Sequence, residues 1–208
     1  MNFDAAALRG KIWLQHLELI QCSMGADDSA DVGQLQLLSH LEHLQQLTYL
    51  GLHDSLTKLS NIPAAAYSAL TASNKLRHLD LGGCRLHVGA WQYVLPTGKQ
   101  LPQLRELNIS QVRVPKGLAV AAPEGSRLVS CCPGLQSLQL HNLHCVRNSA
   151  ELLAPLTGLS GLQELSLWPA GRSANGWAVV PQLTGLRRLY VHLGTKVFAT
   201  DAHSLSPQ

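Results

Sequence analysis

Leu76-Arg77-His78-Leu79-Asp80-Leu81-Gly82-Gly83-Cys84 decides how the whole chain is read. Leucines occupy the first, fourth and sixth positions of this phrase, and a cysteine closes it at the ninth. The phrase recurs at Leu14-Leu17-Leu19-Cys22, Leu47-Leu50-Leu52-Ser55, Leu104-Leu107-Ile109-Val112, Leu135-Leu138-Leu140-Leu143, Leu162-Leu165-Leu167-Ala170 and Leu186-Leu189-Val191-Gly194. Successive first leucines are 33, 29, 28, 31, 27 and 24 residues apart, so seven copies run in phase over nearly the whole chain.

Alternation makes the fourth and sixth positions one face of a short strand and the third, fifth and seventh the other. Parallel strands need a crossover of a dozen or more residues, and every interval between phrases is long enough. In the first crossover Leu35, Leu38 and Leu41 follow near-helical spacing within 34–46, with Asp31 as the expected cap. Pro63 at a first helical position predicts a helix over Ala64–Thr71 that turns Tyr67 and Leu70 inward. The third helix is expected over His87–Leu95, packing Trp91 and Val94 and ended by Pro96. The fourth crossover, interrupted by Pro115 and Pro123, has room for a turn or two over Glu124–Ser130. Asn148 followed by Glu151 is an N-cap pair ahead of Leu152 and Leu153 in the fifth. The sixth, Pro169–Gln182, carries Gly171, Gly176 and Pro181 and is expected to lack a regular helix. Leu44, Leu101, Leu159 and Leu183, each three residues ahead of a phrase, should roof the core. Residues 1–194 therefore form one repeat domain. The polar stretch 195–208 carries no repeat and is expected to be disordered, with Val197 and Phe198 as a flap over the last strand.

Composition narrows the function. Hydrophobic residues make up 46% and charged residues 14%, which is the balance of a folded chain. The formal charge of +3 is small, and Arg77 and Arg105 alternate with Asp80 and Glu106 instead of forming a basic stripe, so no nucleic-acid partner is expected. Neither a secretory signal nor a run of about 20 apolar residues is visible, so a cytoplasmic protein without membrane attachment is expected. Five cysteines without a C-x-x-C pair disfavour zinc and suit a reducing compartment. Asn108-Ile109-Ser110 matches a glycosylation sequon but lies within an expected strand.

The phrase is that of the leucine-rich repeat, and the chain resembles that family from Leu14 to Gly194. The long repeats, with Cys22 and Cys84 at the ninth position, look most like the ribonuclease-inhibitor-type and cysteine-containing subclasses. Ser55, Val112, Leu143, Ala170 and Gly194 depart from the closing Asn or Cys. The resemblance implies an α/β fold: a right-handed solenoid, or horseshoe, with a concave parallel sheet of about seven strands and irregular helices on the convex side. It also implies recognition of a protein partner. A cysteine at the ninth position is then expected to lie buried as a small apolar plug.

Candidate chemistry is sparse. His40-Leu-Glu-His43 places its histidines three apart, whereas the metalloprotease helix needs four, so a solvated outer face is the better reading. Gly98-Lys99-Gln100 lacks the earlier glycine and the following hydroxyl of a phosphate loop and reads as a turn. Cys22 and Cys84 fall two strands apart, about 9–10 Å at ordinary strand spacing. A disulfide tolerates at most about 7 Å between Cα atoms, so free thiols are expected.

What remains is the face made by the odd positions. The third gives His16, Tyr49, His78, Glu106, Ser137, Glu164 and Arg188; the fifth Glu18, Gly51, Asp80, Asn108, Gln139, Ser166 and Tyr190; the seventh Ile20, His53, Gly82, Ser110, His141, Trp168 and His192. From these columns Tyr49, His53, His78, Asp80, Glu106, Asn108, His141, Glu164, Trp168, Arg188, Tyr190 and His192 are the candidate partner-binding residues. Trp168, Arg188, Tyr190 and His192 on the last two strands are the expected anchors, because Trp, Tyr and Arg dominate interfaces. The reading is thus a non-enzymatic protein-interaction module without cofactor or metal, able to self-associate through solenoid ends that lack caps. Two other roles fit the resemblance. One is the substrate receptor of an SCF-type ubiquitin ligase, which requires an F-box segment upstream of Leu14. The other is a scaffold on cytoskeleton or axoneme.

Overall fold

The computed structural model describes residues 3–23, 30–56, 62–87, 89–112, 125–141, 153–167, 179–193 and 196–201. Each phrase contributes one strand that begins at its third position. These are β1 (His16–Glu18), β2 (Tyr49–Gly51), β3 (His78–Asp80), β4 (Glu106–Asn108), β5 (Ser137–Leu140), β6 (Glu164–Leu167) and β7 (Arg188–Leu193). The seven are parallel and lie in chain order, third position beside third and fourth beside fourth. An eighth strand, β8 (Lys196–Asp201), pairs antiparallel with β7. The expectation of a disordered 195–208 therefore does not hold for 196–201. The backbone of β7 satisfies its outer edge there, which polarity of sequence alone does not forbid.

Register follows burial. A slip of one residue would exchange the two faces of every strand, and the leucines forbid it. Leu79, Leu81, Leu107, Ile109, Leu138 and Leu165 are all at most 2% exposed, whereas Asp80, Asn108 and Gln139 between them are half-buried. Leu44, Leu101, Leu159 and Leu183 are buried as roofing residues. The ladder also runs past the strands. On the lead-in side the second-position carbonyl accepts two N–H groups from the next repeat, as Gln15 does from Thr48 and Tyr49, and Arg77 from Arg105 and Glu106. On the exit side the eighth-position N–H of Gln21, Asp54, Gly83 and Gln111 donates to the seventh-position carbonyl of His53, Gly82, Ser110 and His141. Those four residues have φ of 50°, 51°, 70° and 58°, the left-handed region that favours glycine, so the exit turn has one conformation repeated four times.

The ninth position explains its own variability. Ser55 Oγ donates to Leu19 O at 2.9 Å and accepts from Cys22 N at 3.1 Å, while Cys84 Sγ donates to Leu52 O at 2.8 Å. Serine and cysteine each put one small donor on the sixth-position carbonyl of the preceding repeat. Val112 keeps only the apolar plug and is 2% exposed.

The crossovers are short helices. α1 (Ala30–Leu41) buries Leu37, Leu38 and Leu41, while Leu35 is only partly buried. Asp31, expected as its cap, is instead its second residue, since alanine at 30 extends the helix at little cost. A 3-10 helix over Ala64–Thr71 carries Tyr67 and Leu70 inward, three residues apart as its period requires. The third helix is α2 (Trp91–Val94), much shorter than the expected 87–95, because Gly89 at φ +78° breaks the helical run before it starts. Trp91 and Val94 are buried as expected. α3 (Gly125–Cys131) and a 3-10 helix over Ala154–Gly158 follow, and residues 179–182 make a single turn that buries Val179 and Val180. The N-cap pair Asn148 and Glu151 and residues 169–178 lie outside the described residues. Before β1, a 3-10 helix over Ala5–Leu8, capped by the Asp4 carboxylate on Ala6 N, packs against α1 with Ala5 and Leu8 buried. The helix side of the first repeat is thus covered. Among the described residues no helix is long and apolar enough to cross a membrane.

Cys84, Cys131 and Cys132 are buried free thiols and Cys22 a half-buried one. Burial pushes the Cys84 and Cys132 thiols up to about 12, so little thiolate forms near neutrality. Thiol titration of the denatured chain should count five free cysteines. In the native protein Cys22 should react before the other described cysteines, and Cys84 and Cys132 only on unfolding. A denatured count of three would mean a disulfide.

Candidate binding face of the sheet

Parallel strands lie about 4.8 Å apart, close to the distance at which flat rings stack, so equal register turns an aromatic column into a pile. His16 and Tyr49 have ring centroids 4.0 Å apart at 12°, and Tyr49 and His78 4.3 Å apart at 10°. The middle ring and one end of the pile are tied to carboxylates. Tyr49 Oη donates to Glu18 Oε1 at 3.2 Å, and His78 Nδ1 lies 2.8 Å from Glu106 Oε2. Burial first, and the Glu18 charge next, raise the Tyr49 hydroxyl above its ordinary value, which keeps it a donor. The ring has room because the fifth position of the same repeat is Gly51, where a Cβ would sit 3.1 Å from Tyr49 Cε1 and 3.4 Å from Glu18 Cγ.

The same device recurs one repeat later. His53 lies over Gly82, where a Cβ would meet its Nδ1 at 2.7 Å. Its nitrogens face Asp54 Oδ2 at 3.4 Å and Asp80 Oδ1 at 3.9 Å. Asp80 Oδ1 accepts the Gly82 N–H at 2.7 Å, and Asn108 Oδ1 accepts the Ser110 N–H at 2.9 Å. These two fifth-position residues brace the exit turn as much as they offer a surface. Ser110 Oγ in turn accepts the His141 N–H at 3.1 Å, and His141 Nε2 is hydrogen-bonded to Ser166 Oγ. Serine and histidine are a nucleophile and base by type. Ser166 is only 5% exposed, so a substrate carbonyl could not approach its hydroxyl, and the pair acts as an internal strut.

Towards the other end Ser137 stands between Glu106 and Glu164 in the third column. Its small side chain leaves a polar trough of about 260 Å³, walled by those carboxylates, Gln139 and Arg188. Arg188 Nη2 bonds Glu164 Oε2 at 2.8 Å, with 60% and 18% of the two side chains exposed. A trough this small and polar holds water more readily than an organic ligand.

Eleven of the twelve expected residues can thus be placed. Tyr49, His53, His78, Asp80, Glu106 and Asn108 form one connected patch over β2 to β4; Glu164, Arg188 and Tyr190 sit together on β6 and β7; His141 links to Ser166. His192 takes its place in β7 opposite Val197, and Trp168 lies outside the described residues. His16, Glu18, Gly51, Gly82, Ser110 and Ser166 belong to the same face and went unselected. The aromatic pile and its glycine floor could have been found by reading columns for stacking partners instead of for single anchors. The third, fifth and seventh columns hold four described carboxylates, Glu18, Asp80, Glu106 and Glu164, against the single guanidinium of Arg188, opposite in sign to the chain's +3. Among the described residues no three His, Cys, Asp or Glu side chains converge as a metal site requires. No protein-family model matches this sequence, and neither does any curated protein.

Proposed function

We propose that the chain is a leucine-rich repeat solenoid, right-handed with its sheet on the concave side, that works without catalysis by binding a protein partner across that sheet. One observation carries the reading. Parallel sheets are almost always covered on both faces. Here one face is packed with leucine, whereas His16, Glu18, Glu106 and Arg188 on the other are exposed and Tyr49, His78, Asp80, Asn108, Gln139 and Tyr190 half-exposed. A stiff face whose side chains differ in every repeat suits a folded partner, since little freedom is lost on association. Its excess of carboxylates favours a partner that presents lysine or arginine.

Affinity capture with wild-type chain as bait, followed by mass spectrometry, supplies the partner. Calorimetry then tests the surface. Tyr49→Ala, Glu106→Lys and Tyr190→Ala should each weaken binding by about 1–2 kcal/mol or more. Glu42→Lys, exposed just beyond α1, should leave it unchanged. The opposite ranking would move the interface to the helical side.

A further inference from the structure

The outer edge of β1 differs from the interior of the sheet. Leu19 N donates to Gly51 O, Gln21 N to His53 O, and Gln15 O accepts from Thr48 and Tyr49. Alternation then turns the backbone groups of His16, Glu18 and Ile20 away from β2, and among the described residues no strand lies on that side. The 3-10 helix over Ala5–Leu8 packs against α1, and Phe3 N donates to Ser23 O beyond the exit of the strand. The large apolar side chains most exposed among the described residues are Ile12 (50%), Trp13 (77%), Ile20 (56%) and Val32 (56%), and all four belong to this first repeat. Trp13 and Ile20 flank β1 at its two ends. Edge strands are usually guarded by lysine, proline or a bulge. β1 presents a histidine and a glutamate instead.

We propose that this edge is a self-association site, at which β1 pairs antiparallel with β1 of a second copy about a two-fold axis through Leu17. Such an interface uses the same patch twice, so it must be self-complementary. It is. The outward groups of His16 exchange hydrogen bonds with those of Glu18 in the second copy, and the reverse, giving four bonds at Cα separations of about 5.5 Å. Both side chains lie on the open face, so each pair sets an imidazole against a carboxylate. The same register brings Ile20 against Leu14 of the second copy with Trp13 beside it, removing both apolar ends from water. The open faces of the two copies then point the same way and join into one. This association does not depend on the proposed partner binding.

Sedimentation equilibrium of the full chain at micromolar concentration should give a reversible dimer. Glu18→Pro removes an outward N–H, which an edge strand tolerates, together with the exposed carboxylate that accepts from Tyr49 Oη, and should yield a monomer that melts within a few degrees of wild type. Glu18→Lys should weaken the dimer by about tenfold or more, and His16→Glu with Glu18→Lys should return it to within about threefold of wild type. If the proline variant melts early, the charge exchange decides alone. A wild-type chain that stays monomeric, or a dimer that survives both Glu18→Pro and Glu18→Lys, overturns the proposal.

Discussion

Leu107→Ala is expected to destabilise the protein by about 2–5 kcal/mol, the cost of emptying a leucine-sized space in a packed core. Leu107 is 2% exposed at the centre of β4, between Leu79 of β3 and Leu138 of β5, and belongs to neither end of the sheet. A repeat cannot lend stability to its neighbours through a cavity, so the loss should reach both sides of β4. Against a total stability of about 5–15 kcal/mol for an ordinary domain, this one substitution removes a large share. Urea unfolding followed by circular dichroism measures it. A loss well under 1 kcal/mol would mean that the leucines face outward and the register is reversed.

The second large effect is expected at the exit turn. Gly83→Ala should cost about 1–3 kcal/mol, from a left-handed backbone that alanine resists and from collision. At φ +70° the new Cβ would sit 2.0 Å from Asp54 Oδ1. Asp54 would have to move, giving up its 3.4 Å contact with His53. Gln111 holds the equivalent position one repeat later at φ 58°. Gln111→Gly should leave stability unchanged or raise it by up to about 1 kcal/mol, because relief of strain offsets the added freedom of the unfolded chain. Thermal melts of the two variants side by side give the ranking. Equal and small effects would show that the eighth residue is not left-handed in solution.

Strands and register were legible because the phrase repeats its leucines at the same positions seven times over, and all of those leucines but Leu14 and Leu186 are buried. An error in one repeat is corrected by the others. The crossovers carry no such redundancy. Gly89 shortens the third helix through a single dihedral, and Ala30 lets α1 start before Asp31; neither event has a counterpart elsewhere in the chain. β8 was illegible for another reason, since a strand that pairs at an edge needs backbone groups more than apolar side chains. The face was readable as columns and unreadable as contacts. That Tyr49 leans over Gly51 and stacks between His16 and His78 depends on residues 29 and 33 positions away, brought together only by register. Asp80 and Asn108, chosen as partner contacts, also tie their own turns, a use that any short polar residue near a chain reversal can take up.

Strand order equal to chain order has a temporal meaning. In the seven-strand parallel sheet each strand bonds only to the repeats just before and just after it. These pairings join residues 24–33 positions apart, so each new strand has to close a loop of one repeat and no more. On the ribosome the amino-terminal repeats emerge first, and each later repeat finds a finished template on which to lay its strand. The slow event is then the meeting of the first two repeats, and growth afterwards resembles the zippering of a polymer. A chain halted at any repeat boundary would already hold a stack lacking only its newest layer.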